Sequence, residues 1–337
     1  MPAFCHPADV RPSWFYSRGA WGYAWARFNA PQASRVTFVK WALVAIYLSS
    51  IAYVHFRGRV RFGFLRQMFN HSAVLAPVNA LMYLTSKVPA TPYIDAQHVP
   101  ALKVLDDNWH IIRDEAVALA QAQQIRAAAN NDDAGFNSFF KTGWKRFYLK
   151  WYEAQHPSAI AMCPRTVEIL RGIPEVKAAM FAELPPGGKL NAHRDPYAGS
   201  LRYHLGLVTP NDDRCNIVVD GQTYSWRDGK SVVFDETFIH SAENRSEANR
   251  IILFCDIERP LRYRWAAAFN SWFGRKVMTA ASSPNETGDQ TGGINKVFYL
   301  FSVVGKYRRR LKAWNKTVYK LIKFGLIIGL AALIIFG

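Results

Sequence analysis

Residues 201–257 constrain the fold of this chain more than any other stretch. The runs 201–207, 215–219, 223–226, 231–235 and 250–257 are rich in β-branched and aromatic residues, and Gly221 and Gly229 punctuate turns between them. Short strands at this spacing suit an antiparallel barrel, a double-stranded β-helix or jelly roll whose mouth can carry a metal. The expected fold class is therefore mainly β with flanking helices (α+β).

Residues of metal-ligand type stand at the ends of these runs. His193 and Asp195 follow the turn-rich approach Pro185-Pro186-Gly187-Gly188 and precede the alternating run 201–207. His240 follows the run 231–235, and Arg250 opens the next run after 250 − 240 = 10 residues, a turn plus a strand entry. Two imidazoles and one carboxylate on one face of a metal leave three positions open, enough for a chelating 2-oxo acid and dioxygen. This is the parts list of a non-haem iron(II) oxygenase. In an antiparallel barrel the interval returns the chain beside its own start, so the Arg250 guanidinium can enter the same cavity. Its planar fork suits the far carboxylate of 2-oxoglutarate. Each residue alone has a plainer reading: a strand-edge charge for Arg250, a satisfied core histidine for His240, a turn cap before Pro196 for Asp195. Their joint arrangement favours a site.

The same residues carry a resemblance to a known family. The stretch 190–261, with His193-Arg194-Asp195-Pro196-Tyr197, Leu201-Arg202-Tyr203-His204-Leu205-Gly206-Leu207, Trp226-Arg227-Asp228-Gly229 and Phe234-Asp235-Glu236-Thr237 leading to His240, resembles the aspartyl/asparaginyl β-hydroxylases. Within them it is most similar to the bacterial lipid A 2-hydroxylases. The likeness reaches back through Arg57-Gly58-Arg59-Val60-Arg61, His71-Ser72 and Asp107-Asn108-Trp109, so it spans about residues 39 to 264. It implies Fe(II) as cofactor, 2-oxoglutarate and O2 as co-substrates, and hydroxylation of C2 of a secondary acyl chain on lipid A. It also lends Arg202 and His204 a share in holding the 2-oxoglutarate carboxylate. The animal branch has glycine where this chain has Asp195, so the site resembles the complete three-ligand version. Aspartyl or asparaginyl hydroxylation of a protein or peptide is the alternative.

The chain has a net charge of +17 and is 50% hydrophobic. Such a surplus suits nucleic acid or an anionic membrane surface, and its placement decides between them. The basic residues crowd beside apolar segments, and no nucleic-acid-binding motif accompanies the aromatic stretch 144–152. Residues 39–56 reach about 27 Å as a helix, nearly enough to cross a bilayer. Arg57, Arg59, Arg61 and Arg66 after this segment outnumber Arg27 and Arg35 before it, which favours a cytoplasmic C-terminal side. The chain's end, 318–337, is a second apolar segment with Lys306, Arg308, Arg309, Arg310, Lys312, Lys316, Lys320 and Lys323 at its upstream side. Both segments then place the intervening domain at the cytoplasmic face of a bacterial inner membrane, with lipid A or a related anionic glycolipid as partner.

Residues 72–84 form a short apolar patch broken by Pro77, readable as an interfacial or a core helix. Between residues 100 and 129, Leu102, Leu105, Trp109, Ile112, Ala116 and Leu119 recur at helical intervals, so helices outside the barrel are expected. Residues 279–293, rich in Ser, Asn, Thr and Gly, read as a flexible linker. Cys5, Cys163, Cys215 and Cys255 form no Cys-x-x-Cys pair, and free thiols fit a reducing compartment. The expected division is an N-terminal extension (1–36), a transmembrane helix (37–57), a membrane-proximal helical region (58–135), the oxygenase domain (136–278), a linker with a basic segment (279–317) and a C-terminal membrane segment (318–337).

Overall fold

The computed structural model describes residues 19–63, 66–67, 71–128 and 132–336. The part of the expected N-terminal extension that precedes residue 19 lies outside them. In chain order the strands are β1 Tyr93–Ile94, β2 Lys145–Trp151, β3 Val176–Leu184, β4 Lys189–His193, β5 Ser200–Val208, β6 Cys215–Val219, β7 Gln222–Ser225, β8 Ser231–Phe234, β9 His240–Asn244 and β10 Arg250–Glu258. They form one sheet in the order β1-β8-β5-β10-β3-β2 and a smaller one in the order β4-β9-β6-β7. All of these pairings are antiparallel, so the domain is a double-stranded β-helix with helices on its outside.

Strand periodicity sorts the central residues into two cores. Leu201, Tyr203, Leu205 and Leu207 of β5, with Ile251, Leu253, Cys255 and Ile257 of β10, face outward. They pack under the helices Trp109–Gln121 and Pro164–Arg171, which contribute Ile112, Ala116, Leu119, Val167 and Leu170. The alternate positions, Ile252 and Phe254 of β10 and Met180, Ala182 and Leu184 of β3, face inward against Ile217 and Val219 of β6 and Ala242 of β9. A period of two along a strand requires this division. Each fully buried large apolar side chain contributes roughly 2 kcal/mol. At the end of β5 the register shifts, and a Cβ on Gly206 would stand 2.1 Å from the Arg227 carbonyl oxygen. Only glycine lets the 227–230 turn close on this strand.

The apolar segment expected over 39–56 lies in a longer helix, Gly19–Phe56, so the helix begins well before the expected start at residue 37. Its part Thr37–Phe56 is long and apolar enough to cross a membrane, and its most apolar stretch is 17% buried. The patch 72–84 is broken at Leu75 into the helices His71–Val74 and Ala76–Thr85. Ala73 and Ala76 pack on Ile51 and Val54 of the long helix. The C-terminal residues form the helices Gly293–Trp314 and Lys316–Phe336.

The stretch expected to be a flexible linker is instead docked on the barrel. β2 lies at the end of its sheet, and the Asn285 side chain meets both main-chain groups of Tyr148: Tyr148 N donates to Oδ1 at 2.7 Å and Nδ2 donates to Tyr148 O at 2.8 Å. Asp289 accepts from Ser158 Oγ at 2.6 Å, and Ser282, Ser283 and Asn295 are fully buried. The Ser and Asn content that reads as linker composition supplies side chains that bond to backbone here, covering a sheet edge. The region before the barrel also joins it, because β1 pairs with β8.

Candidate active site

β4 and β9 are neighbours, and their register pairs His193 with His240. The two rings lie 4.2 Å apart between centroids. Each Nδ1 faces a carbonyl two residues upstream, His193 that of Asn191 at 2.7 Å and His240 that of Phe238 at 3.0 Å. A carbonyl only accepts, so each Nδ1 carries the proton and each Nε2 keeps its lone pair for a metal. Asp195 Oδ1 lies 3.5 Å from His193 Nε2 and 4.0 Å from His240 Nε2. Ligand atoms of the three residues fall within 4.8 Å of one another.

The carboxylate is held from two sides. Asp195 N donates to Glu236 O at 3.0 Å, and Arg202 Nη2 donates to Asp195 Oδ2 at 2.7 Å. Burial alone would raise the Asp195 pKa, but Arg202 and the two imidazoles prevail and hold it at about 2. Burial, reinforced by the neighbouring His193, lowers His240 to about 3. Near neutral pH the cluster is therefore one carboxylate with a neutral imidazole at His240, the forms that bind a metal.

Arg202 is held by two carboxylates. Its Nε donates to Asp256 Oδ1 at 2.9 Å while Nη2 holds Asp195, and its guanidinium lies 3.8 Å over the Phe254 ring. These two carboxylates make Arg202 a brace for the ligand residue Asp195, and Arg202 still lines the cavity. Asp256, its second partner, escaped the sequence reading. The signal was present: Asp256 interrupts the apolar run 251–257 at an inward position.

His193, Asp195, Arg202, His204, His240 and Arg250 line one cavity. Its apolar wall includes Phe136, Phe139, Trp144, Ile217, Trp226 and Phe254. Phe139 stands 4.7 Å from the His193 ring. Arg250 is 2% exposed, with its guanidinium 4.4 Å over Trp226. Among the described residues, its Nε and Nη2 and both ring nitrogens of His204 have no hydrogen-bond partner. Burial lowers Arg250 to about 10 and, helped by Arg202 and Arg250, pushes His204 well below its ordinary value. An unpaired buried guanidinium is costly, and an anion entering the cavity relieves that cost.

A second charged network joins the site to the long helix. Asp235 accepts from Arg57 Nη2 at 2.6 Å and from Arg259 Nη2 at 2.8 Å, and Arg57 Nη1 donates to Thr237 Oγ1 at 2.9 Å. Main-chain nitrogens of Arg59 and Val60 donate to Asp220 at 3.0 and 2.7 Å. Sequence spacing could not reveal the contacts of Arg57, Arg59 and Val60, which cross more than 150 residues.

A jelly roll with a two-histidine, one-carboxylate cluster in its cavity defines a hydroxylase of the dioxygenase type. The family model described as aspartyl/asparaginyl beta-hydroxylase matches residues 106–260. The chain is 32% identical over 203 residues to the ornithine lipid ester-linked acyl 2-hydroxylase of Rhizobium tropici, which covers 59% of this chain and 71% of that protein. It is 28% identical over 164 residues to human aspartyl/asparaginyl beta-hydroxylase, covering 47% of this chain and 21% of that one. A prolyl-4-hydroxylase structure from Pseudomonas putida aligns at 17% identity and a TM-score of 0.30, over 46% of this chain and 87% of that one. The chain belongs to the aspartyl/asparaginyl β-hydroxylase family.

Proposed function

We propose that this chain is an Fe(II)- and 2-oxoglutarate-dependent hydroxylase of a lipid acyl chain, with lipid A as its substrate, working at the cytoplasmic face of a bacterial inner membrane. The observation that carries the chemistry is the meeting of the His193–Asp195–His240 cluster and the unpaired Arg250 in one cavity. The donor set fits ferrous iron, for which two imidazoles and a carboxylate leave open positions. His193 Nε2, Asp195 and His240 Nε2 would hold the metal, and Arg250 beside His204 would take the far carboxylate of 2-oxoglutarate. When bound, the metal with 2-oxoglutarate and dioxygen supplies the oxidant that replaces hydrogen by hydroxyl on an unactivated carbon.

The chain's own residues perform binding, orientation and exclusion of water. Arg202 fixes Asp195 through one oxygen and leaves the other toward the imidazoles. The carbonyls of Asn191 and Phe238 set the histidine tautomers. Trp226, Phe254 and Trp144 wall the cavity with apolar surface, which strengthens the Arg250 field by removing competing water.

The lipid reading is supported by the apolar helix Thr37–Phe56, the arginines that follow it, the net charge of +17 and the similarity to an acyl 2-hydroxylase. A bis-phosphorylated glycolipid matches so basic a chain. The Rhizobium tropici relative favours a second reading, an ornithine lipid acyl chain, with the same site chemistry. Mass spectrometry of lipid extracts from cells expressing the wild type or His240→Ala tests both. One added oxygen on lipid A, lost in the variant, supports the proposal. Addition confined to ornithine lipid replaces it with the second reading. Addition to peptides with all lipids unchanged overturns both.

A further inference from the structure

The helix Arg264–Phe273 buries Ala266, Asn270 and Phe273 on one face. Its outward stripe, at i, i+3 and i+7, consists of Trp265, Ala268 and Trp272, with both indoles about half exposed at 57% and 49%. Exposed Tyr263 stacks on Trp265 with centroids 6.0 Å apart. Arg262, Arg264, Arg275 and Lys276 are also exposed around this stripe, and no acidic residue occurs from Arg259 through Asn285. An amphipathic surface normally turns its tryptophans inward and its charges outward. Here both are outward together, the composition of a helix that lies in a lipid headgroup layer, where indole rings are favoured and basic residues meet anionic lipid.

The surface is continuous with the candidate membrane span. Met82, Ala198, Leu261 and Ala266 form one apolar cluster, with Tyr83 and Phe269 packed on it. Tyr83 also packs on the cluster of Ile51, Val54, Ala73 and Ala76 at the last turns of the span. The helix Ala76–Thr85 thus links the tryptophan helix to the place where the span ends, and its own Leu84 is exposed.

We propose that the Trp265–Trp272 face, with Tyr263, Arg264, Arg275 and Lys276, is a second membrane contact that docks on an anionic bilayer surface and sets the tilt of the catalytic domain beside its anchor. This inference rests on the membrane reading above.

The test uses the full chain with Cys5→Ser and an environment-sensitive fluorophore at Ala268→Cys, reconstituted in phosphatidylglycerol vesicles that carry a nitroxide lipid. A parallel sample is labelled at Leu43→Cys in the span. Lipid nitroxide is expected to quench both labels. Trp265→Ser with Trp272→Ser is expected to abolish quenching at 268 and leave it unchanged at 43. Each neutralisation, Arg275→Gln or Lys276→Gln, lowers the docked fraction by up to about fivefold, from about 1 kcal/mol per basic residue near an anionic surface. Quenching at 43 without quenching at 268 overturns this inference alone and points to a protein or solvent as the occupant. Absence of quenching at both positions overturns the membrane reading with it. Equal docking in purely phosphatidylcholine vesicles overturns the role of anionic lipid.

Discussion

Arg194 Nη1 donates to the main-chain oxygen of Val54 at 2.6 Å, so the residue between His193 and Asp195 grips the last turns of the apolar helix. The final carbonyls of a helix have no partner within it, and a cation there also meets the negative end of the helix dipole. Arg194 is only 2% exposed at this junction, and burial lowers its pKa. Together with the Arg57–Asp235 pair, this bond makes the end of the helix a structural neighbour of the metal-ligand loop.

Arg194→Met keeps most of the side-chain volume and removes the bond. It is expected to weaken ferrous binding about tenfold, because a charge-assisted hydrogen bond contributes roughly 1.5–3 kcal/mol. Anaerobic titration with Co(II) as a spectroscopic stand-in, at matched thermal stability, measures this. Binding equal to wild type would show that the junction does not position the cluster.

Arg250→Met is expected to act in opposite directions on stability and on co-substrate binding. Removing a buried guanidinium whose Nε and Nη2 lack partners should leave the ligand-free protein as stable or stabilise it by about 1–3 kcal/mol. The same change should lower affinity for 2-oxoglutarate by about 100-fold, from the loss of a charge-assisted pair. Denaturation in detergent and the thermal shift induced by 2-oxoglutarate report the two effects separately. Destabilisation with co-substrate affinity unchanged would show that Arg250 serves packing alone.

Asp195→Asn keeps the shape of the side chain but removes the charge that Arg202 and the imidazoles share. Ferrous affinity should fall by at least about tenfold, the usual order for loss of a ligand or its support. Asp256→Asn, which touches Arg202 and none of the cluster, should give a smaller loss in the same assay. Identical effects from both would mean that the carboxylate acts only through Arg202.

Acid should weaken the metal-free fold from the ordinary histidine range downward. His240 and His204 have pKa values lowered by burial, His240 to about 3, against 6.5 in the unfolded chain. Below about pH 6.5 the unfolded chain takes up protons that the folded chain does not, so stability is lost as pH falls. Each imidazole held neutral contributes a slope of roughly 1.4 kcal/mol per pH unit. Denaturant midpoints between pH 7 and 5 for the wild type and His204→Phe measure it, and an equal slope in both would remove His204 from the account.

The strands β5, β6, β7, β8 and β10 are legible in the sequence because β-branched runs between turn residues mark them. The strands β1, β2, β3, β4 and β9 carry no such signal. β3 reads Val-Lys-Ala-Ala-Met-Phe-Ala-Glu-Leu and is buried on both faces, so it lacks the alternation that identifies a half-wet strand. β4 and β9, Lys-Leu-Asn-Ala-His and His-Ser-Ala-Glu-Asn, are polar and short, and only their pairing defines them.

The amino-acid order by itself determined which residue types could form a metal cluster, His193, Asp195 and His240, where the apolar span lies, and that short strands would close into a barrel. Those properties are local, carried by residue chemistry and by a period of two. The tertiary structure alone decided that Arg202 braces Asp195 against Asp256, that the Ser- and Asn-rich stretch covers a sheet edge and that Arg194 reaches Val54. These depend on contacts between residues far apart in the chain, and no local pattern records which partners a closed barrel brings together.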